Sequence, residues 1–152
     1  MRIYLDEDGD VAIDYDDKRF VEFGAFLKLD VNYSMVRCLD ALQMVADVDS
    51  GISAVEVYDG EVHRAEFRRE GVLVTHKFLP ERTAQVPFDV AVRALEQFWT
   101  VIESKPVSPN RTRVYRPDLP LVESELHLWE STWHRPHPYR GRLGIPTGGE
   151  AV

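Results

Sequence analysis

Closely spaced aspartates near the start of the chain could bind a cation. Asp6, Asp8 and Asp10 alternate like the first ligands of an EF-hand calcium loop. That loop needs glycine directly after its third ligand and glutamate at its twelfth position. This chain has Val11 and Asp17 at those places. The spacing therefore predicts a negatively charged edge and no metal site.

These aspartates belong to an acidic rim, which we define as Asp6, Glu7, Asp8, Asp10, Asp14, Asp16 and Asp17. Carboxylates gathered at one edge attract basic proteins and accelerate their association. We therefore predict a basic protein as the partner. The predicted partner-binding residues are Asp6, Glu7, Asp8, Asp10, Asp16 and Asp17.

Two histidines fall on neighbouring predicted strands and could act together. His63 and His76 lie on the apolar face of those strands, where histidines usually pack and do not catalyse. In the strand pairing that we prefer, the nearest obvious acid, Glu56, lies on the opposite face. A small enzyme that uses His63 and His76 is therefore an alternative to a binding protein, and we do not predict a catalytic site.

The remaining histidines do not have the spacing of metal ligands. His134 and His137 flank Pro136, so they cannot share a helical turn as metalloprotease histidines do, and no cysteine lies near them. Cys38 is the only cysteine, which excludes an internal disulfide, and it lies at the edge of an apolar stripe. No phosphate-binding loop, dinucleotide motif or nucleophile–base motif is present, so we predict no cofactor.

The charge distribution limits the class of partner. The net charge is −8, and residues 1–104 hold 21 acidic side chains against 11 basic ones. Such a surface repels phosphate backbones, which disfavours direct binding of nucleic acid. The apolar runs are far shorter than the roughly 20 residues that cross a bilayer. The first residues are acidic where a signal peptide is apolar, so we expect a cytoplasmic protein without membrane contact.

The patterning of residues 1–104 predicts one α+β domain. Period-two alternation and glycine turns predict strands at 2–5, 10–15, 20–30, 52–58, 61–69 and 72–78. Apolar spacing of three and four predicts helices over residues 34–49 and from Pro87 to about 104. We expect a largely antiparallel sheet of five or six strands, with both helices on one face.

Pairing of the strands follows from which faces are apolar. A turn at Glu70 and Gly71 pairs Phe67 with Val74, and it places both strands' apolar residues on the helix side. A three-residue loop over residues 58–60 would place Val55 and Val57 on the helix side as well, together with Ala65.

Residues 105–152 form a Pro-rich tail that we expect to wrap the domain. Seven of the nine prolines lie in it, and its charge is basic. Val122, Leu126, Trp129 and Trp133 share one helical face, which predicts a short helix over 122–133.

The order of segments in residues 20–103 is similar to that of a known family. A predicted polar strand ending in Lys28-Leu29-Asp30-Val31 precedes a capped helix, and Val86-Pro87-Phe88-Asp89 opens a helix carrying Phe98-Trp99. This order resembles immunity proteins of bacterial polymorphic toxin systems, including contact-dependent growth inhibition. The resemblance implies binding and inhibition of a toxin domain, often a nuclease, without catalysis. A second alternative is a phage-encoded acidic inhibitor or nucleic-acid mimic.

Overall fold

The computed structural model describes residues 1–105 and 113–148 and has an α+β fold, as predicted. Its strands are β1 (Arg2–Leu5), β2 (Val11–Asp14), β3 (Glu56–Asp59), β4 (His63–Arg68), β5 (Gly71–His76) and β6 (Thr83–Val86). Its helices are α1 (Val21–Phe26), α2 (Met35–Asp49), α3 (Phe88–Ser104) and α4 (Leu121–Trp133). A 3₁₀ turn over Lys18–Phe20 precedes α1, and a π-helical turn over Leu27–Val31 follows it.

The strands form two separate antiparallel sheets. β3, β4, β5 and β6 form a four-stranded sheet in chain order, whereas β1 and β2 form a hairpin that packs against α3. The prediction of a single sheet of five or six strands is therefore wrong. β6, which is only four residues long, was not predicted from the sequence.

The predicted strand over residues 20–30 is helical. Its buried side chains are Phe23, Phe26, Leu27 and Val31, which follow helical spacing, and Leu29 is 57% exposed. Alternation with period two required Leu29 to be buried. The helical stripe buries Phe26 in place of Leu29, and the Phe26 ring then packs against Tyr58 and Phe67.

The two long helices are confirmed. Ser34 caps α2 by accepting a hydrogen bond from the Arg37 backbone N–H at 3.2 Å. α3 begins directly after Pro87 and buries the aromatic pair Phe98 and Trp99. α2 and α3 pack on each other, and both contact the inner face of the four-stranded sheet.

The predicted faces of β4 and β5 are confirmed, but their register is wrong by two residues. Ala65, Phe67 and Val74 are buried, whereas Arg64 is exposed. Phe67 pairs with Val72, not with Val74, because the turn residues are 69 and 70. A shift of two residues leaves every side chain on its face, so the apolar pattern cannot detect it.

The predicted placement of β3 is wrong. Tyr58 pairs with Ala65 and points inward, while Val57 pairs with Glu66 on the outer face and Val55 is exposed. The Tyr58 ring packs edge-on against Phe26 with their centroids 5.1 Å apart. The inward-facing Tyr58 ring joins the aromatic contacts of the core, which the apolar pattern of Val55 and Val57 did not indicate.

The predicted tail helix is present as α4, which packs on α2. Trp129 is buried there, and Trp133 is 58% exposed. Residues 106–112 and 149–152 of the predicted tail lie outside the described residues. Among the residues that are described, no helix combines the length and apolarity needed to cross a membrane.

Candidate functional site

The connection between β1 and β2 presents four neighbouring carboxylates, which we call the acidic tip: Asp6, Glu7, Asp8 and Asp10. All four side chains are exposed. Asp6 Oδ1 accepts hydrogen bonds from the backbone N–H groups of Asp8 and Asp10, both at 2.9 Å. The turn is therefore held in one conformation by its own aspartate.

The rest of the acidic rim is engaged with cations of the chain. Asp16 Oδ1 lies 2.8 Å from the Met1 ammonium, whose hydrogen bond lowers the pKa of Asp16. Asp17 accepts hydrogen bonds from the Arg19 side chain, which lower the pKa of Asp17. Two of the six predicted partner-binding residues thus have cationic neighbours, and their negative charge is partly neutralised.

By contrast, no ion pair involves the acidic tip within residues 1–105 and 113–148. Its four negative charges lie on three consecutive residues and one more two positions along. Their field is therefore directed to solvent and attracts cationic surfaces over about one Debye length, roughly 10 Å at 0.1 M salt.

His63 lies at the centre of a buried ionic network between the sheet and α1. Its Nδ1 is 2.8 Å from Asp30 Oδ2, and its Nε2 is 2.9 Å from Glu22 Oε2. Arg82 Nε donates to the other Glu22 oxygen at 2.6 Å. The Val62 backbone N–H donates to Asp30 Oδ1 at 2.8 Å.

The geometry of this network places each ring nitrogen of His63 against a carboxylate oxygen, so the ring bridges Asp30 and Glu22. Burial opposes the ionisation of Glu22, but hydrogen bonds from His63 and Arg82 outweigh it and lower the pKa of that carboxyl. The Arg82 side chain is 52% exposed, so it closes the network on the solvent side.

The fold assembles this network from residues that are distant in sequence. Glu22 on α1 and Asp30 on the π-helical turn lie 41 and 33 residues from His63. A Cβ atom at Gly60 would overlap the Asp30 carboxylate, so the glycine permits this close approach. Because residues 20–30 were predicted as a strand, the sequence did not indicate that Glu22 and Asp30 lie beside His63. The earlier inference that Glu56 is the nearest acid is therefore wrong.

His76 lies beside His63, as the predicted strand faces suggested, but it has a different environment. The two rings meet edge to face with centroids 5.1 Å apart. His76 Nδ1 accepts the backbone N–H groups of Phe78 at 3.2 Å and Leu79 at 3.0 Å. Both nitrogens of His63 are engaged by carboxylates, and its side chain has no exposed surface. His63 therefore has no free nitrogen for a substrate.

The tail histidines are separated by their environments. His137 is buried: its Nε2 donates to the Leu39 carbonyl at 2.8 Å, and its Nδ1 accepts the Tyr139 N–H at 3.0 Å. Burial lowers the pKa of His137 to about 4, consistent with a neutral ring. His134 is exposed at the end of α4. In the part of the chain that the structure describes, no three His, Cys, Asp or Glu side chains are placed to hold a metal.

Cys38 is a buried core residue. Its side chain has no exposed surface, and burial raises the pKa of the thiol. A thiol that does not ionise is a poor nucleophile.

A cleft with a volume of about 340 Å³ lies beside Asp30. Several of its charged side chains have partners within the chain. Asp30 binds His63, Asp59 pairs with Lys77 at 2.5 Å, and Arg37 is itself part of the wall. The acidic tip differs from this cleft because none of its four carboxylates forms an ion pair with the described residues.

Comparison with models of protein families, with curated protein sequences and with solved structures finds no match to this chain.

Proposed function

We propose that this protein binds a basic protein through the acidic tip and acts by binding, without catalysis. The observation that carries the proposal is the tip itself: four adjacent exposed carboxylates without an ion pair in the described structure. Surfaces of one sign steer oppositely charged partners and raise association rates.

The contrast with other acidic residues supports this assignment. Glu22, Asp47 and Glu130 are buried, and each has an arginine partner: Arg82 at 2.6 Å, Arg135 at 2.9 Å and Arg140. These carboxylates join the helices and the tail to the rest of the domain. The carboxylates of the tip make no such link and are available to another molecule.

The most specific form of the proposal is an immunity protein that neutralises a bacterial toxin nuclease in the cytoplasm. The capped helix, the strands after it and the helix opened by residues 86–89 support it by resemblance, whereas the strand that the resemblance places before them is helical in the structure. A nuclease carries basic residues for its phosphate substrate, and an acidic protein complements such a surface. Inhibition would follow from covering that surface.

Capture with three baits tests the proposal. The baits are the wild type, Asp8→Lys/Asp10→Lys in the tip, and Glu70→Lys/Glu81→Lys as a control. Glu70 and Glu81 are exposed, distant from the tip in sequence and without a described ion pair, so both double variants change the net charge equally. Proteins retained by the wild type and the control, but not by the tip variant, are then identified and purified.

We expect a basic protein among those that the wild type and the control retain and the tip variant does not. The activity of this captured protein should fall when an equimolar amount of wild type is added. Duplex DNA should compete if the partner is a nuclease or another DNA-binding protein. Equal retention by all three baits would contradict a role for the tip. A captured partner that keeps full activity in the complex would contradict inhibition.

A further inference from the structure

The connection between β5 and β6, residues 77–82, presents apolar side chains to solvent in a hydrogen-bonded loop. Phe78 is 74% exposed and Leu79 is 42% exposed. The Arg82 backbone N–H donates to the Leu79 carbonyl at 2.8 Å, and the Arg82 carbonyl accepts from the His76 backbone N–H at 3.0 Å. We call this segment the β5–β6 loop.

One histidine nitrogen accepts two backbone N–H groups of the β5–β6 loop. His76 Nδ1 lies 3.2 Å from the Phe78 nitrogen and 3.0 Å from the Leu79 nitrogen. In a neutral imidazole one nitrogen accepts a hydrogen bond and the other carries the proton. Because Nδ1 accepts, the proton of His76 lies on Nε2. The closed loop therefore requires a neutral His76 in this tautomer.

Protonation of His76 is incompatible with both hydrogen bonds. The added proton occupies Nδ1 and converts it from an acceptor into a donor. The N–H groups of Phe78 and Leu79 would then face a third N–H group and have no acceptor. Donors that lose their acceptor without gaining water cost free energy, and opening the loop exposes them to water.

The surroundings of His76 provide no replacement acceptor for a protonated ring. The elements that chiefly contact β5 are β4, β6, α1 and α3, and the buried side chains of α3 are all apolar. The charged and titratable groups around His76 and its loop are His63, Glu22, Asp30, Asp59, Lys77, Glu81 and Arg82.

The carboxylates nearest to this ring are engaged elsewhere. Glu22 and Asp30 bind the two nitrogens of His63, whose ring meets His76 edge to face with centroids 5.1 Å apart. Asp59 pairs with Lys77. In the part of the chain that the structure describes, the His76 side chain forms hydrogen bonds only with Phe78 and Leu79. A protonated His76 therefore loses two hydrogen bonds and gains no ion pair.

We propose that the β5–β6 loop is a pH-sensitive switch that neutral His76 holds closed and that protonation of His76 releases. In the closed loop Phe78 and Leu79 are presented to solvent in a fixed arrangement. Histidine suits this role because its charge changes between pH 5 and 8. Because closing requires the neutral ring, acidification lowers the equilibrium constant for closing by up to about tenfold for each pH unit.

Nuclear magnetic resonance of ¹⁵N-labelled protein between pH 8 and 5 tests the switch. The imidazole nitrogen shifts report the tautomer and charge of His76, and amide hydrogen exchange, corrected for its intrinsic pH dependence, reports protection of the loop. We expect the proton on Nε2 at pH 8. Protection of the Phe78 and Leu79 amides should fall about tenfold or more as His76 titrates. The Gly60 amide, which donates to the His63 carbonyl at 2.9 Å, should stay protected and controls for global unfolding.

Two variants separate His76 from other titrating groups. His76→Gln removes the titration and keeps a side-chain oxygen that can accept, so protection of the two loop amides should no longer depend on pH. His134→Asn removes an exposed histidine at the end of α4, where asparagine tolerates the positive φ. This control should behave like the wild type.

Four results would overturn the proposal. They are a proton on Nδ1 of His76 at pH 8, a His76 ring that stays neutral down to pH 5, loop amides that stay protected after the ring is protonated, and an unchanged pH dependence in His76→Gln. Because the free protein is used, none of these results bears on the role of the acidic tip.

Discussion

Replacing His63 by glutamine should destabilise the fold strongly. The ring bridges two buried carboxylates at 2.8 and 2.9 Å, so the substitution removes the hydrogen-bonded link between them. A glutamine amide can donate to one carboxylate, but it cannot span both. Removing one partner from a buried ion pair typically costs about 3–5 kcal/mol. Arg82 remains beside Glu22, so we expect a loss near the lower figure, measured by urea unfolding at pH 7.

His76→Gln is the matched control for this experiment. It removes a half-buried ring that accepts two backbone N–H groups, a loss of about 1 kcal/mol. A His63→Gln protein within about 1 kcal/mol of the wild type would refute the structural role of the network. If both variants fold normally but lose biological activity completely, the two histidines form an active site and the binding-only proposal fails.

Three other perturbations test separate parts of the structure. The free energy of unfolding should fall by about 3 kcal/mol between pH 6.5 and 4, because histidine is protonated in the unfolded chain while buried His137 stays neutral. Urea unfolding across this pH range measures the loss, and His137→Gln should flatten the profile. Gly60→Ala should lower the free energy of unfolding by about 1–3 kcal/mol, since its methyl group overlaps Asp30, whereas Gly148→Ala, in open space, should not change it. Cys38 should react with a thiol reagent only after the protein is denatured, and rapid labelling of the native state would contradict its burial.

Local patterns predicted the elements whose periodicity had a single interpretation. α3 repeats large apolar residues at helical spacing from Phe88 to Ile102, and no strand pattern competes with it. Residues 20–31 fit both periods, because Phe23 and Leu27 belong to an alternating pattern and to a helical stripe. Val31 also fits both, whereas Phe26 fits only the helix and Leu29 fits only the strand, so tertiary burial decides between them.

The candidate sites differ in how much of each could be predicted from the sequence. The acidic tip comes from neighbouring residues, so its charge could be predicted from the sequence. The contacts of Asp16 and Asp17 with cations depend on the fold and could not be predicted. The His63 network depends on a helix that the sequence analysis interpreted as a strand, and its carboxylates come from distant positions.

The association rate with the captured partner, measured by stopped flow across a salt series, tests the central claim most directly. Asp8→Lys/Asp10→Lys should slow association about tenfold or more at low ionic strength, and Glu70→Lys/Glu81→Lys should slow it much less. The difference should shrink as the Debye length falls from about 10 Å at 0.1 M salt to about 3 Å at 1 M. Thermal melts of the free variants should match the wild type, because solvated carboxylates contribute little stability. An association rate that responds neither to salt nor to these substitutions would contradict binding through the acidic tip.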